Sequence, residues 1–229
     1  MTVSIKFDSS QNYQLEAIDA VTSLFEGWTD FEWQPETDGL LADELVSSQF
    51  FANRMGVSEE ELSANIRKVQ SRERFNSEVL LVPVVPETLR MPPGDIKNVN
   101  DFSIEMETGT GKTYVYLRTA IELYVKYNLS KFVVIVPTVA IREGVLSSLA
   151  SMKQHFHELY PGVQYDSYVY DSKNMGRLRQ FGTTKHLQIM VMNIQAFSKD
   201  TNLINREDEN LHDLKPVDFI TATNPVLIL

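Results

Sequence analysis

The stretch Met106-Glu-Thr-Gly-Thr-Gly-Lys-Thr113 decides how this chain is read. Gly109 and Gly111 let backbone N–H groups close around phosphate oxygens. Lys112 is placed to neutralise the outer phosphates, and Thr113 to offer its hydroxyl to Mg²⁺. Thr108, Gly109, Thr110, Gly111, Lys112 and Thr113 are therefore candidate nucleotide contacts, with Thr113 the candidate metal ligand. The flanks supply the setting. Phe102-Ser-Ile-Glu-Met106 alternates apolar and polar residues as a short strand does. Thr113 to Tyr127 carries Tyr116, Leu117, Ala120, Ile121, Leu123 and Tyr124 at helical spacings, without Gly or Pro. Strand, glycine loop and helix start, in that order, aim the helix macrodipole and its unpaired N–H groups at a bound anion. The plain alternative is a glycine turn that only joins a strand to a helix.

Outward from the loop the chain alternates between β and α patterns. Tyr13 to Glu26 places Leu15, Ile18, Val21, Thr22 and Phe25 on one helical face. Residues 27–100 are irregular and read as an insertion between that helix and the loop, with Gly39, Gly56, Gly94 and the Pro92-Pro93 pair. Within it, Ser58 and Glu61 form a capping box leading into Leu62, Ile66 and Val69. Val79 to Val85 suits a strand that Pro83 demotes to an edge. After the loop, Phe132-Val-Val-Ile-Val136 suits a central parallel strand buried on both faces. A helix follows from about Val139 to Tyr160, kinked near Gly144. Then come a strand at Tyr165 to Tyr170, a basic helical stretch around Arg177 and Arg179, a strand at Gln188 to Ile194, and the apolar run Val226 to Leu229. This order implies an α/β fold with a parallel sheet and a ligand at its carboxyl edge.

Composition narrows the function. The 229 residues are 43% hydrophobic and suffice for one α/β domain with a good core. No apolar run approaches the ~18 residues of a membrane span, and the N-terminus lacks a signal-peptide pattern. The absence of cysteine excludes disulfides and thiolate zinc sites and agrees with a cytoplasmic location. From Glu26 to Glu61 there are ten acidic residues against Arg54 alone, so this segment carries −9 of the net −10. The remaining near-neutral surface leaves room for a basic groove. His155 and His157 stand two apart on a helix and face different ways, while His186 and His212 stand alone. A histidine metal site is not expected.

Met106 stands where the commonest phosphate loop has its first Gly. That departure points away from nucleotide kinases and small GTPases and toward helicase-type ATPases. Further segments extend the likeness: Asn65-Ile-Arg-Lys-Val-Gln70, Met106 to Thr119 (METGTGKTYVYLRT), Val136-Pro-Thr-Val-Ala-Ile-Arg-Glu-Gly-Val145, Tyr170-Asp-Ser-Lys173, Asn193-Ile-Gln-Ala-Phe197 and Thr223-Asn-Pro-Val-Leu-Ile-Leu229. In this order they resemble the ATP-dependent Res subunit of type III restriction-modification enzymes, a branch of the superfamily 2 helicases. The match runs from the Tyr13-Gln14 helix to Leu229.

The resemblance implies a RecA-like P-loop domain with a mainly parallel central sheet flanked by helices, plus the acidic insertion. Residues 1–229 then form a first motor lobe, incomplete at its C-terminal end. ATP and Mg²⁺ are the implied cofactors; DNA and a modification methyltransferase (Mod) subunit are the implied partners, with no membrane. Gln14 looks like the adenine-reading glutamine of helicase Q motifs, with Tyr13 beside it. The alternative is an exposed glutamine at a helix start. Pro137 and Thr138 resemble a motif that touches the nucleic-acid backbone, and Arg142 is placed for a phosphate contact. Arg142 paired with Glu143, or capping a turn, is the alternative there. Asn193 fits the next backbone-contacting motif, or is an ordinary strand terminator. In the family, the strand matching Val226 to Leu229 runs into an Asp-Glu pair that holds Mg²⁺. The chain stops before it, so the isolated chain is expected to bind nucleotide without hydrolysing it. Two rivals stay open. A P-loop small-molecule kinase needs an acceptor pocket and an arginine-bearing lid, and the sequence offers neither. A non-catalytic ATP-dependent interaction module would use the acidic insertion as its docking surface.

Overall fold

In the computed structural model the described residues are 7–29, 50–72, 102–197, 202–211 and 214–229. Before the phosphate loop lie α1 (Asn12–Thr22), continued by a 3-10 turn at Ser23–Phe25, and α2 (Glu59–Gln70). After it come α3 (Lys112–Tyr127), β1 (Lys131–Val136), α4 (Val139–Leu159), β2 (Tyr165–Val169), α5 (Met175–Thr183) and β3 (Leu187–Asn193). Short 3-10 turns at Ile194–Phe197, Leu203–Asn205 and Glu209–Leu211 lead to α6 (Pro216–Ala222) and β4 (Val226–Ile228).

The sheet has the order β2-β3-β1-β4. All its pairings are parallel, with Val133 opposite Met190 on one side and Leu227 on the other. The apolar runs in β1 and β3 exist because both sheet faces are covered. Phe132, Val134, Val136, Ile189 and Val191 face a core with Leu117 and Ile121 of α3 and Leu149 and Phe156 of α4. Val133, Met190 and Met192 face the other way, onto Leu178, Phe181, Ile204, Leu211 and Phe219. Each such buried side chain contributes about 1.5–3 kcal/mol. The fold is thus α/β, a parallel sheet flanked by helices, consistent with a RecA-like helicase domain.

Helix α2 opens with the capping box read from the sequence: Glu61 N–H donates to Ser58 Oγ at 3.2 Å, and Ser58 N–H to Glu61 Oε2 at 2.9 Å. The Ser58 N–H and hydroxyl, both donating to the Glu61 carboxyl, hold it below its usual pKa. Asn65 Nδ2 donates to the carbonyls of Leu24 and Glu26 at 3.0 and 2.8 Å, binding α2 to the end of the first helical segment. The segment 50–57 is stitched to the sheet. Asn53 Nδ2 donates to the Lys131 carbonyl at 2.7 Å, while its Oδ1 accepts from the N–H groups of Ser130 and Lys131 at 2.8 and 2.9 Å.

Several expectations change. Phe102 to Met106 is irregular, with Phe102 and Ile104 exposed. Alternation makes a strand only where a neighbour offers a ladder, and among the described residues β4 pairs with β1 alone. Met106 turns inward instead, against Ala17, Ile18 and Val115. Helix α4 runs as one α-helix through Gly144. Helix α6, opened by Pro216 at its first turn, was not anticipated. The proposed Val79 to Val85 strand, and most of the acidic run, lie outside the described residues.

Candidate functional site

The phosphate loop ends where α3 begins. Gly111 is the N-cap, at φ 85° and ψ 35°, and Gly109 also sits at φ 85°. Both are left-handed conformations that strain any residue with a Cβ. At Gly111 a Cβ would also lie 2.6 Å from Gln14 Nε2 and would displace that amide from the loop. Among the described residues no side chain caps α3, and its first turn holds no acidic residue. The first N–H groups of a 16-residue helix therefore face outward with their dipole unopposed. An anion fits there, and the exposed Lys112 stands beside it to add its charge. Thr110 shapes the loop from within, its hydroxyl donating to the Glu107 carbonyl at 2.7 Å.

Helix α1 closes one side. Ala17 and Ile18 pack on Val115 of α3, and this seam brings Gln14 onto the loop. Gln14 is buried, and its Nε2 donates to the Thr110 carbonyl at 2.9 Å across 96 positions of sequence. Tyr13 projects beside it, 46% exposed, its hydroxyl accepting from Gln14 Nε2 at 3.4 Å. The structure thus brings Tyr13 and Gln14 together with Thr108 to Thr113. A buried amide and an exposed aromatic ring stand next to the glycine loop.

The other candidates gather at the carboxyl ends of β1 and β3, where Val136 is in register with Asn193. Thr138 is the N-cap of α4 and accepts from the Ile141 N–H at 3.3 Å. Arg142 pairs with Glu143 at 2.9 Å, as the plainer of its two readings had it. Asn193 Oδ1 is buried with no hydrogen-bond partner among the described residues. Gln195 Nε2 donates to the Pro137 carbonyl at 2.7 Å and holds the two strand ends together. Thr138 follows β1 by two residues and Asn193 ends β3, so both lie at the carboxyl edge of the sheet.

His186 does not stand alone: its Nε2 lies 2.8 Å from Asp166 Oδ2, and Gln188 Nε2 donates to the same oxygen at 3.2 Å. These bonds outweigh the effect of burial and hold the Asp166 pKa down. His155 is bound as well, 3.0 Å from the Tyr114 hydroxyl, and burial with the nearby Arg118 charge keeps its pKa low. Among the described residues no cluster of three His, Cys, Asp or Glu side chains is arranged to hold a metal. Sequence reasoning missed Arg118, whose guanidinium joins α3 to the end of α4 and to the segment before α1. The one available signal was a lone cation on a helix face shared with Tyr114, Val115, Ile121 and Glu122.

A parallel sheet flanked by helices, with a glycine loop at the N-terminus of α3, is the architecture of a RecA-like, helicase-type domain. The family described as type III restriction enzyme, res subunit, matches residues 9–220, and the chain belongs to it. Two relatives are the Res subunit of the type III restriction-modification enzyme EcoP15I from Escherichia coli, 26% identical over the whole of this chain, and that of EcoPI from Escherichia phage P1, 30% identical over 77% of it. A third, the StyLTI Res subunit of Salmonella typhimurium, is 32% identical over 56% of the chain. The matches span 23%, 16% and 15% of those proteins' lengths.

Proposed function

We propose that this chain binds ATP with Mg²⁺ and serves as the first motor lobe of a type III restriction enzyme, coupling ATP hydrolysis in the complete enzyme to movement on DNA before cleavage. The observation that carries the reading is the contact of Gln14 with Thr110 at the uncapped start of α3. The N–H groups from Gly109 to Thr113 would cradle the phosphates, Lys112 would neutralise them, and the Thr113 hydroxyl would meet Mg²⁺. Gln14 would read the adenine edge, with Tyr13 against the ring. Bound ATP would supply the anhydride whose cleavage provides the driving free energy, and Mg²⁺ would neutralise charge on its phosphates. Everything else asked of these residues is binding and orientation.

Thr138, Arg142 and Asn193 are assigned to the nucleic-acid backbone. The pair Arg142–Glu143 does not oppose this, because an exposed ion pair is worth about 0–1 kcal/mol and exchanges readily for a phosphate. DNA and a modification methyltransferase subunit are the proposed partners, which places the work in the cytoplasm. Among the described residues no helix is long and apolar enough to cross a membrane. For the 229-residue polypeptide tested by itself we propose binding without appreciable turnover, since a phosphate loop supplies only part of the charge stabilisation that phosphoryl transfer needs. Calorimetry with ATP and Mg²⁺ tests the site. Lys112→Ala is expected to weaken binding by roughly 1.5–3 kcal/mol, as for loss of a charge-assisted contact. Equal affinity in the two proteins would refute the assignment. Phosphate release above the Lys112→Ala background would refute the proposal of no turnover.

A further inference from the structure

Arg118 is only 9% exposed, so its donors must be met within the protein. Nε donates to the Tyr160 hydroxyl at 2.9 Å and Nη1 to the Ser9 carbonyl at 2.8 Å. Tyr160 in turn donates to Glu122 Oε1 at 2.6 Å, which sets a counter-charge one hydroxyl away from the guanidinium. The fork is therefore locked in orientation by α3 and the end of α4, and its remaining arm grips the main chain of another segment.

That segment is the entry to α1. Asp8 Oδ1 accepts from the Ser10 N–H and hydroxyl at 2.9 and 2.6 Å, and Asp8 Oδ2 from Gln11 Nε2 at 3.4 Å. Gln11 is the N-cap residue of α1, and its carbonyl accepts from the Gln14 N–H at 3.0 Å. Phe7 lies parallel to the Tyr114 ring, with centroids 6.4 Å apart. A continuous set of bonds thus runs from Arg118 through Ser9 and the Asp8 turn to Gln14, the side chain that meets the phosphate loop.

We propose that Arg118 is the positioning residue for base selection: by holding the Ser9 carbonyl it fixes the first turn of α1, and with it the reach and angle of the Gln14 amide. This rests on the adenine-reading role of Gln14 proposed above. The two halves of the site respond differently to a loosened first turn. A hydrogen bond to a base edge fails with a small displacement or misalignment. In the cradle, Lys112 and Thr113 belong to α3 and Thr110 is tied to the Glu107 carbonyl by its own hydroxyl and N–H, so the cradle keeps its place.

The test is displacement of a fluorescent ADP analogue from the chain by ATP and by GTP, with Mg²⁺ present. Wild type is expected to prefer ATP. Arg118→Met is expected to cut that preference by roughly two- to twelvefold, the scale of one lost hydrogen bond, with GTP affinity near that of wild type. Arg118→Lys, which keeps a donor for Ser9, should recover part of the preference. In a Gln14→Ala background, Arg118→Met should change nothing further, because the two act in series. Undiminished preference in Arg118→Met, or an undiminished effect in the Gln14→Ala background, overturns the proposal. Should Arg118→Met fail to fold, Tyr160→Phe keeps the ring and removes the hydroxyl that orients the guanidinium. It is expected to lower the ATP preference, and an unchanged preference counts against the proposal equally. Wild type binding neither nucleotide would refute the nucleotide site itself, whereas equal binding of both would spare the phosphate cradle and overturn base selection by Gln14 and Arg118.

Discussion

Lys131 opens β1 with no solvent exposure, its ammonium donating to the Thr184 carbonyl and lying 5.6 Å from the centre of the Phe181 ring. Burial pushes its pKa down from 10.5 to about 7. The unfolded chain takes up this proton below 10.5, the folded one only below about 7, so between those values unfolding binds a proton. Raising the pH through that window should therefore stabilise the fold, by roughly 2–4 kcal/mol between about pH 7 and pH 10. Tyr165 and Tyr170 bring the opposite slope above about pH 10. Burial pushes both up to about 12, so their unfolding releases protons. Urea denaturation across this range should show stability rising toward pH 10 and then falling, with the rise missing in Lys131→Met. A flat profile in wild type would refute the assignment of a neutral buried lysine.

At the scale of elements, Asn53 is the joint between segment 50–57 and the sheet. Its amide serves three backbone groups of Ser130 and Lys131, while its own N–H donates to the Thr223 carbonyl at 2.9 Å and its carbonyl accepts from Asn224 Nδ2 at 3.1 Å. Asn53→Ala would leave buried backbone groups without partners, at about 1–3 kcal/mol apiece before relaxation. A loss of about 2–4 kcal/mol in chemical denaturation is expected, against less than about 1 kcal/mol for Asn128→Gly, where φ is 55° and glycine is at home. A loss under about 1 kcal/mol for Asn53→Ala would mean the segment is not held there.

Elements with strong local patterns could be read directly. The helix after the loop, the buried run of β1 and the Ser58 capping box all declare themselves through spacing within a few residues. Phe102 to Met106 misled because a strand depends on a neighbour, and alternation says nothing of whether one is there. The short α6 has too few turns to show a period. Asn53 and Arg118 were illegible for another reason: Asn53 meets Ser130 across 77 positions and Arg118 meets Tyr160 and Ser9 across 42 and 109, and no local pattern marks such meetings. The glycine loop before α3 was legible from its own residues. Gln14 entered by resemblance, and its contact with Thr110 was not foreseen.

At the scale of the whole molecule, the charge is uneven. The segment from Glu26 to Glu61 carries nearly all the net negative charge of the chain. A phosphate backbone is repelled by such a stretch, whereas a protein surface or solvent accepts it. Replacing Asp30, Glu32, Glu36, Asp38, Asp43 and Glu44 by their amides should leave non-specific DNA affinity unchanged or raise it, measured by fluorescence anisotropy at fixed salt. A fall in affinity with the fold intact would show that the segment helps to hold DNA.

The bond between Gln14 and Thr110 spans 96 positions, and that between Arg118 and Ser9 spans 109. Closing a loop of that length costs conformational entropy before any contact repays it, and chains rich in such distant pairings fold slowly. The run from α3 to β3, with its nearer partners, is expected to organise first and α1 to dock last. A nascent or briefly opened chain would then hold a formed glycine loop with no glutamine against it. Pulsed hydrogen exchange should find amides of β1 and β3 protected before those of α1, and simultaneous protection would mean the N-terminal helix takes part in nucleation. Late docking would make the arrival of α1 the timing step for the finished contact of Gln14 with the glycine loop.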